Sequence, residues 1–343
     1  MSNYQIQLNT LDKKSVSFAC PTGMDIISAA QQADIILVSQ CQSGACGSCV
    51  AEHQQGQFEC KGYSDSALST EMVEQKQLLL CRTYPSSDLV LQLPYNYDQI
   101  QFEQVIQRQA TISEKTYLTP DTIKLGLQLL PDADDNINLD FEAGQYIEIM
   151  LPDSDEKRAY SLSNTPNWEG YLECLIKLRP DGKFSHFLDK QATVGTSLTI
   201  QSPSGQFALQ DTGLRPRYFV AGGTGVAPVL SMLRQMAEWQ EPHPCRLFFG
   251  VWHPQDVFLK DELESLTEQL PAFNYQTCVA NNTDTDTWQG CQGSVVDALA
   301  TALKDNNSQA DIYICGSVNL VNAVKQLSQS LDIDETRLIY ETF

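Results

Sequence analysis

Four cysteines constrain this chain more than anything else in it. Three stand in Cys41-Gln42-Ser43-Gly44-Ala45-Cys46-Gly47-Ser48-Cys49, and a fourth, Cys81, follows after 31 intervening residues. The spacing C-x4-C-x2-C with a distant fourth cysteine is the plant-type arrangement for a [2Fe–2S] cluster. Four thiolates must converge on a small anionic cluster, so the loop has to wrap tightly. Gly44, Ala45, Gly47 and Ser48 let backbone N–H groups point at the sulfurs. Leu78-Leu79-Leu80-Cys81-Arg82 puts the fourth thiol at an apolar strand end that covers the cluster. A structural zinc site usually draws on two close cysteine pairs; here only Cys46 and Cys49 are close. A thioredoxin-like Cys-x-x-Cys calls for a βαβ setting, whereas a hairpin and a helix are read before this loop. Cys41, Cys46, Cys49 and Cys81 are therefore the expected iron ligands. Cys20 and Cys60 fall outside the spacing and are read as structural.

The remaining five of the eleven cysteines are scattered singly and read as small buried hydrophobes. An odd cysteine count, with neither a basic nor an apolar leader at Met1-Ser2-Asn3-Tyr4-Gln5, argues against a disulfide framework and for a cytoplasmic protein. No apolar run approaches the roughly 18 residues of a membrane span. The net charge is −21, with nothing to neutralise phosphates, so neither nucleic acid nor a membrane is an expected partner. The acidity is general; solubility explains it, and steering toward a partner with a basic patch is the sharper alternative.

A chain of 343 residues holds two or three ordinary domains. Composition shifts near Leu93–Asp98 and Asp211–Pro216 divide it at 1–97, 104–212 and 213–343, with a short linker around Asp98–Glu103. The first segment opens with a hairpin, Tyr4–Leu8 and Ser15–Phe18, followed by helical spacing over Met24–Ala33. The middle segment reads as short strands at Ile123–Leu129, Gln145–Leu151, Tyr171–Leu178 and Ser197–Ile200, a barrel pattern. The last alternates strand and helix from Tyr218 to Leu331, the doubly wound α/β pattern.

Two stretches of the middle segment suit a flavin. In Arg158-Ala159-Tyr160-Ser161 the guanidinium offers a fork to a pyrophosphate, the phenol a stacking face and Ser161 a hydrogen bond to the ring edge. In Gly182-Lys183-Phe184-Ser185-His186, a turn entering a helix offers N–H groups and a hydroxyl to the same pyrophosphate. Lys177, Gly182, Lys183 and Ser185 join the candidate cofactor-binding residues. Taken singly, either stretch is as readily surface and core. In the last segment, Gly222-Gly223-Thr224-Gly225-Val226-Ala227-Pro228 follows a strand and opens a helix, where glycines let the backbone approach a dinucleotide pyrophosphate. Cys315-Gly316 ends a later strand at the same sheet edge. No Arg or Lys stands beside Trp252-His253-Pro254-Gln255-Asp256 to hold a 2′-phosphate, which favours NADH over NADPH.

Together these residues resemble the ferredoxin–NAD(P) reductase family in its bacterial oxygenase-reductase form. Arg158-Ala159-Tyr160-Ser161 matches its R-x-Y-S, Gly222–Pro228 its G-G-T-G-x-A-P, Cys315-Gly316 the start of its C-G-P-P, and Tyr340-Glu341-Thr342-Phe343 its aromatic-Glu-x-Phe ending. Leu79–Pro85, Glu142–Tyr146, Pro216–Gly225, Met232–Trp239 and Asp311–Gly316 bring it closer to the reductases of soluble methane monooxygenase-type systems. The resemblance implies a multidomain α+β and α/β chain: a β-grasp ferredoxin domain, an antiparallel β-barrel FAD domain and a doubly wound parallel-sheet NAD domain. It implies electrons passing from NADH to FAD to [2Fe–2S] to a hydroxylase component. That partner is expected to be di-iron, or alternatively a Rieske-type dioxygenase, with the chain itself a monomer. By the same resemblance Tyr160 stacks on the flavin, Arg158 and Ser185 hold its phosphates, and Thr224 with Gly222, Gly223 and Gly225 holds the nicotinamide nucleotide. Ser161, Cys315 and Glu341 line the position of hydride transfer, and Phe343 lies near the isoalloxazine. Ser317-Val318 stands where the family usually has two prolines, so this loop is expected to be more mobile.

Overall fold

A computed structural model describes residues 3–154, 156–281, 288–306 and 309–343. These form two compact units, residues 3–107 with Thr342 and Phe343, and residues 108–341.

The first unit is built on a five-stranded mixed sheet in the order Ser15–Pro21, Asn3–Asn9, Leu89–Gln92, Val50–Gln55, Gln77–Leu79. Asn3–Asn9 and Ser15–Pro21 form the expected antiparallel hairpin. Alternation sends Ile6 and Leu8, with Val16, Phe18 and Cys20, to one face. The helix Ile26–Gln32 buries Ile26, Ile27, Ala29 and Ala30, and starts where Asp25 accepts the Ser28 amide at 2.9 Å. Leu89–Gln92 returns parallel to Asn3–Asn9, making the sheet mixed.

In the second unit, six strands run Lys157–Ser161, Tyr146–Met150, Ser197–Ser204, Gln107–Thr119, Thr122–Leu129, Tyr171–Lys177. The bridge Leu162–Cys174 and the Ser163 amide bonding to Glu173 O at 2.8 Å join the first strand's end to the last strand. The sheet thereby curls round toward a barrel. Its interior is apolar, from Ala110 and Ile112 through Leu125 and Leu127 to Leu198 and Ile200.

The second sheet of this unit runs Cys291–Gln292, Phe273–Val279, Cys245–Val251, Arg217–Gly222, Asp311–Gly316, Leu338–Thr342. Arg217–Gly222 pairs parallel with Cys245–Val251 on one side and Asp311–Gly316 on the other. Val226–Glu238 and Lys260–Gln269 contribute to one apolar cluster; Val295–Asn306 and Val318–Ser330 contribute to another. Strands buried on both faces read as continuous apolar runs, and all six residues of Asp311–Gly316 are buried. Winding reverses between Arg217–Gly222 and Asp311–Gly316, and this switch point is where ligands of such sheets bind.

A buried charge joins barrel and parallel sheet. Arg234, on Val226–Glu238, donates to Glu173 Oε1 at 2.7 Å, to Ser163 O at 2.9 Å and to Glu262 Oε1 at 3.0 Å. Burial opposes the Arg234 charge, but Glu173 and Glu262 outweigh it and hold the guanidinium's pKa up. Ser231, one turn earlier, donates to Asn164 O at 2.7 Å. Removing one member of a buried pair leaves the other uncompensated, typically at about 3–5 kcal/mol. Arg234→Met should therefore lower the unfolding midpoint of this unit by calorimetry, and adding Glu173→Gln should recover part of the loss.

Candidate functional site

The cysteine loop is held by its small residues. Gly44 and Gly47 have φ of +77° and +78°. A Cβ on Gly44 would lie 2.9 Å from Gly62 O and from Arg82 Cγ, and one on Gly47 would lie 3.0 Å from Ala67 O. Arg82 donates to Ser43 O at 2.8 Å, and the Ser64 amide to Gly44 O at 2.9 Å. Cys81 sits in a short 3-10 turn, Leu80–Arg82, directly after the strand Gln77–Leu79.

All four expected ligands come together, in two pairs. Cys49 and Cys81 lie 3.2 Å apart, sulfur to sulfur. The Cys46 thiol bonds to the Cys41 sulfur, which also accepts the amides of Ser43 at 3.4 Å and Ala45 at 3.3 Å. The Cys46 bond, opposed by burial and helped by those amides, holds the Cys41 thiol down to about 5. Among the described residues no three His, Cys, Asp or Glu side chains converge as ligands of one ion. Two thiol pairs are the division that two irons require, with amides directed at a thiolate, and the residues fit a [2Fe–2S] group. Cys20 is buried in the core behind the loop, and Cys60 ends the strand Phe58–Cys60.

In the barrel, Lys157–Ser161 places Arg158 and Tyr160 opposite Ile149 and Ile147. Arg158 is partly exposed, 3.6 Å from Glu156. Tyr160 packs on Phe184 with ring centroids 5.4 Å apart, and burial pushes its phenol pKa up. Gly182 caps the helix Lys183–Lys190, and Ser185 Oγ accepts the Arg179 amide at 2.9 Å. Gly182, Lys183, His186 and Phe187 line a cleft of about 580 Å³ with Leu151 and Pro152. Lys183 pairs with Glu156. Lys177 is held by Asp121 at 2.6 Å and faces Asp256 at 3.9 Å.

At the switch point, a Cβ on Gly225 would stand 2.4 Å from Cys315 O, so Gly223–Gly225 lies directly on the end of Asp311–Gly316. Thr224 is at the centre of this turn, and Gly222 and Gly316 both approach Leu320. Ser317 caps the helix Val318–Ser330, accepting the Leu320 amide at 3.3 Å, so the turn carries a defined local bond where prolines were expected. Three strands bring Ser161, Cys315 and Glu341 together. The Ser161 hydroxyl donates to Glu341 Oε2 at 3.2 Å, and the Cys315 thiol approaches the same oxygen at 3.8 Å. Burial raises the Glu341 pKa to about 7 against these two bonds. Phe343, at the chain end, is 36% exposed.

The domain comparisons agree with this division of labour. Residues 9–86 match the 2Fe-2S iron-sulfur cluster binding domain, 109–209 the oxidoreductase FAD-binding domain and 219–326 the oxidoreductase NAD-binding domain. The chain is 37% identical over 303 residues to methane monooxygenase component C of Methylosinus trichosporium, covering 88% of this chain and 87% of that protein. It is 34% identical over 324 residues to the toluate 1,2-dioxygenase electron transfer component of Pseudomonas putida, covering 94% and 93%. The chain belongs to the flavin iron–sulfur electron-transfer components of oxygenases. It is an NADH-dependent oxidoreductase that uses FAD and a [2Fe–2S] cluster. The fold is shared with the Amycolatopsis cytochrome P450 reductase GcoB, at a TM-score of 0.77 and 23% identity over 98% of each chain. Among the described residues no helix is long and apolar enough to cross a membrane.

Arg234, Glu173 and Ser231 are not among the expected functional residues, although an arginine inside the largely apolar stretch Val226–Met236 is the available signal. Two outcomes check the site. Cys46→Ser should abolish the cluster's visible absorption while leaving NADH-driven flavin bleaching intact. Glu341 keeps its proton to about pH 7 when folded and releases it near 4.5 when unfolded. Between those values the folded state binds more protons, so stability falls as pH rises. The contribution is on the order of 3 kcal/mol. The stability difference between wild type and Glu341→Gln should therefore change across this window, measured by thermal unfolding from pH 4.5 to 7.5, and level off outside it.

Proposed function

We propose that this chain is the cytoplasmic, monomeric reductase component of a soluble di-iron monooxygenase of the methane monooxygenase type. The observation that carries the reading is the joining, in one chain, of two thiol pairs with flavin and nucleotide sites. The finer reading is supported by the 37% identity to methane monooxygenase component C and by segments such as Met232–Trp239 that lie outside the cofactor motifs. In this reading, residues 1–97, 104–212 and 213–343 are the ferredoxin, FAD and NAD domains.

A bound flavin takes two electrons together and gives them up singly, which suits it to stand between a hydride donor and an iron–sulfur group. The residues have separate tasks. Cys41, Cys46, Cys49 and Cys81 hold the cluster, and the Ser43 and Ala45 amides favour negative charge on Cys41. Arg158, Lys177, Gly182, Lys183 and Ser185 would hold the flavin, and Tyr160 would offer it a stacking face. Gly222, Gly223, Thr224, Gly225 and Gly316 admit the dinucleotide backbone. Ser161 and Cys315 orient Glu341, whose raised pKa lets it hold a proton near neutral pH. The acidic surface, at a net charge of −21, favours a hydroxylase with a basic docking patch.

Affinity capture with the full chain as bait, followed by metal analysis, tests the finer reading. A bound hydroxylase with two non-haem irons and no acid-labile sulfide is expected. A partner carrying a Rieske cluster and mononuclear iron would overturn the subfamily and favour the dioxygenase reading that the toluate relative raises.

A further inference from the structure

Two cysteines outside the site described above face each other across the parallel sheet. Cys278, in Phe273–Val279, and Cys291, in Cys291–Gln292, are register partners on adjacent parallel strands. Neighbouring strands lie about 4.8 Å apart, within the Cα separation that a disulfide spans. Both side chains pack into the same apolar cluster with Val295 and Leu299, so they share a face of the sheet. The thiols are hydrogen-bonded to each other, and neither is in a disulfide. Their access differs: Cys278 is 1% exposed, whereas Cys291 is only partly covered. The pair stands in one transverse row with the glycine turn, since Cys278 pairs with Gly250 and Gly250 with Gly222.

We propose that Cys278 and Cys291 form a redox-responsive dithiol that hydrogen peroxide converts reversibly to a disulfide. The accessible Cys291 sulfur attacks one peroxide oxygen and the O–O bond breaks, leaving a sulfenic acid on Cys291 and one water. The Cys278 sulfur then attacks the Cys291 sulfur, the S–O bond breaks, and the hydroxyl leaves with the Cys278 proton as a second water. Two thiols are oxidised by two electrons and one peroxide is reduced to two waters; a small thiol reverses the bond by exchange. Burial raises the Cys278 thiol pKa against the nearby Arg246 guanidinium, so Cys278 is the poorer nucleophile toward peroxide and the accessible Cys291 is oxidised first. Disulfides formed inside cells are mostly transient devices of this kind.

The test treats the full holoprotein with hydrogen peroxide, alkylates free thiols in denaturant and maps the peptides by mass spectrometry. A Cys278–Cys291 linked peptide that disappears after dithiothreitol is expected. Cys291→Ser should leave Cys278 as a free, alkylated thiol, and Cys278→Ser should accumulate a Cys291 sulfenic acid trapped by dimedone. Recovery of both cysteines alkylated after peroxide, or a peroxide-dependent disulfide on Cys278 in the Cys291→Ser variant, would overturn the proposal. So would the absence of a dimedone adduct in Cys278→Ser.

Discussion

The ion pair between Arg234 and Glu173 is the constraint on which the reducing half of this molecule depends. A guanidinium and a carboxylate at 2.7 Å, both largely out of water, tolerate little displacement. Desolvation makes any separation costly unless each charge finds another partner. Arg234 stands two turns into the helix that the glycine turn opens, and Glu173 stands on Tyr171–Lys177, the last strand of the barrel sheet. Ser163 donates to the same carboxylate oxygen at 2.8 Å, two residues beyond Ser161. One buried charge therefore fixes the chain just beyond the strand Lys157–Ser161 against the helix that follows the glycine turn.

Glu341, in the same unit, is tuned by burial rather than by a partner charge. It is 3% exposed, and among the described residues its side-chain hydrogen-bond partners are a hydroxyl and a thiol rather than a cation. Burial raises its pKa, and two neutral donors compensate in part. The cluster loop uses the opposite arrangement. There, amides converge on Cys41, and a positive φ at Gly44 and Gly47 brings the chain close to Gly62 and Ala67. A carboxyl tuned toward neutrality and a thiol tuned toward its anion thus occur in one chain, each set by its own surroundings.

Legibility in the sequence followed the range of the forces involved. The hairpin, the helix at Ile26–Gln32 and the alternating last segment were readable, because periodicity and capping are local. Gln107–Thr119 was not. Its apolar positions Ala110 and Ile112 alternate, but register shifts near Ile112 and Tyr117 break the pattern, and its other half is largely polar. Leu338–Thr342 was legible only as a terminal motif, since its strand character comes from lying on the sheet edge beside Asp311–Gly316. Arg234 lies in the subfamily-like segment Met232–Trp239, but its partner is 61 residues away and no local pattern links them.

The sequence by itself determined the chemistry: four thiols at iron–sulfur spacing, a flavin motif, a glycine turn and an acidic surface. These are properties of residue type and short separation, and they survive without knowledge of the path between them. Only the tertiary structure decided which groups meet. Ser161 and Glu341 are 180 residues apart and share a hydrogen bond because the curl of the barrel sheet and the switch in winding bring their strands together. Cys278 and Cys291 became a pair because parallel register set them side by side. The physical reason is common to both: long-range pairing is set by the burial of whole faces, and a single chain position carries too little of that pattern to show it.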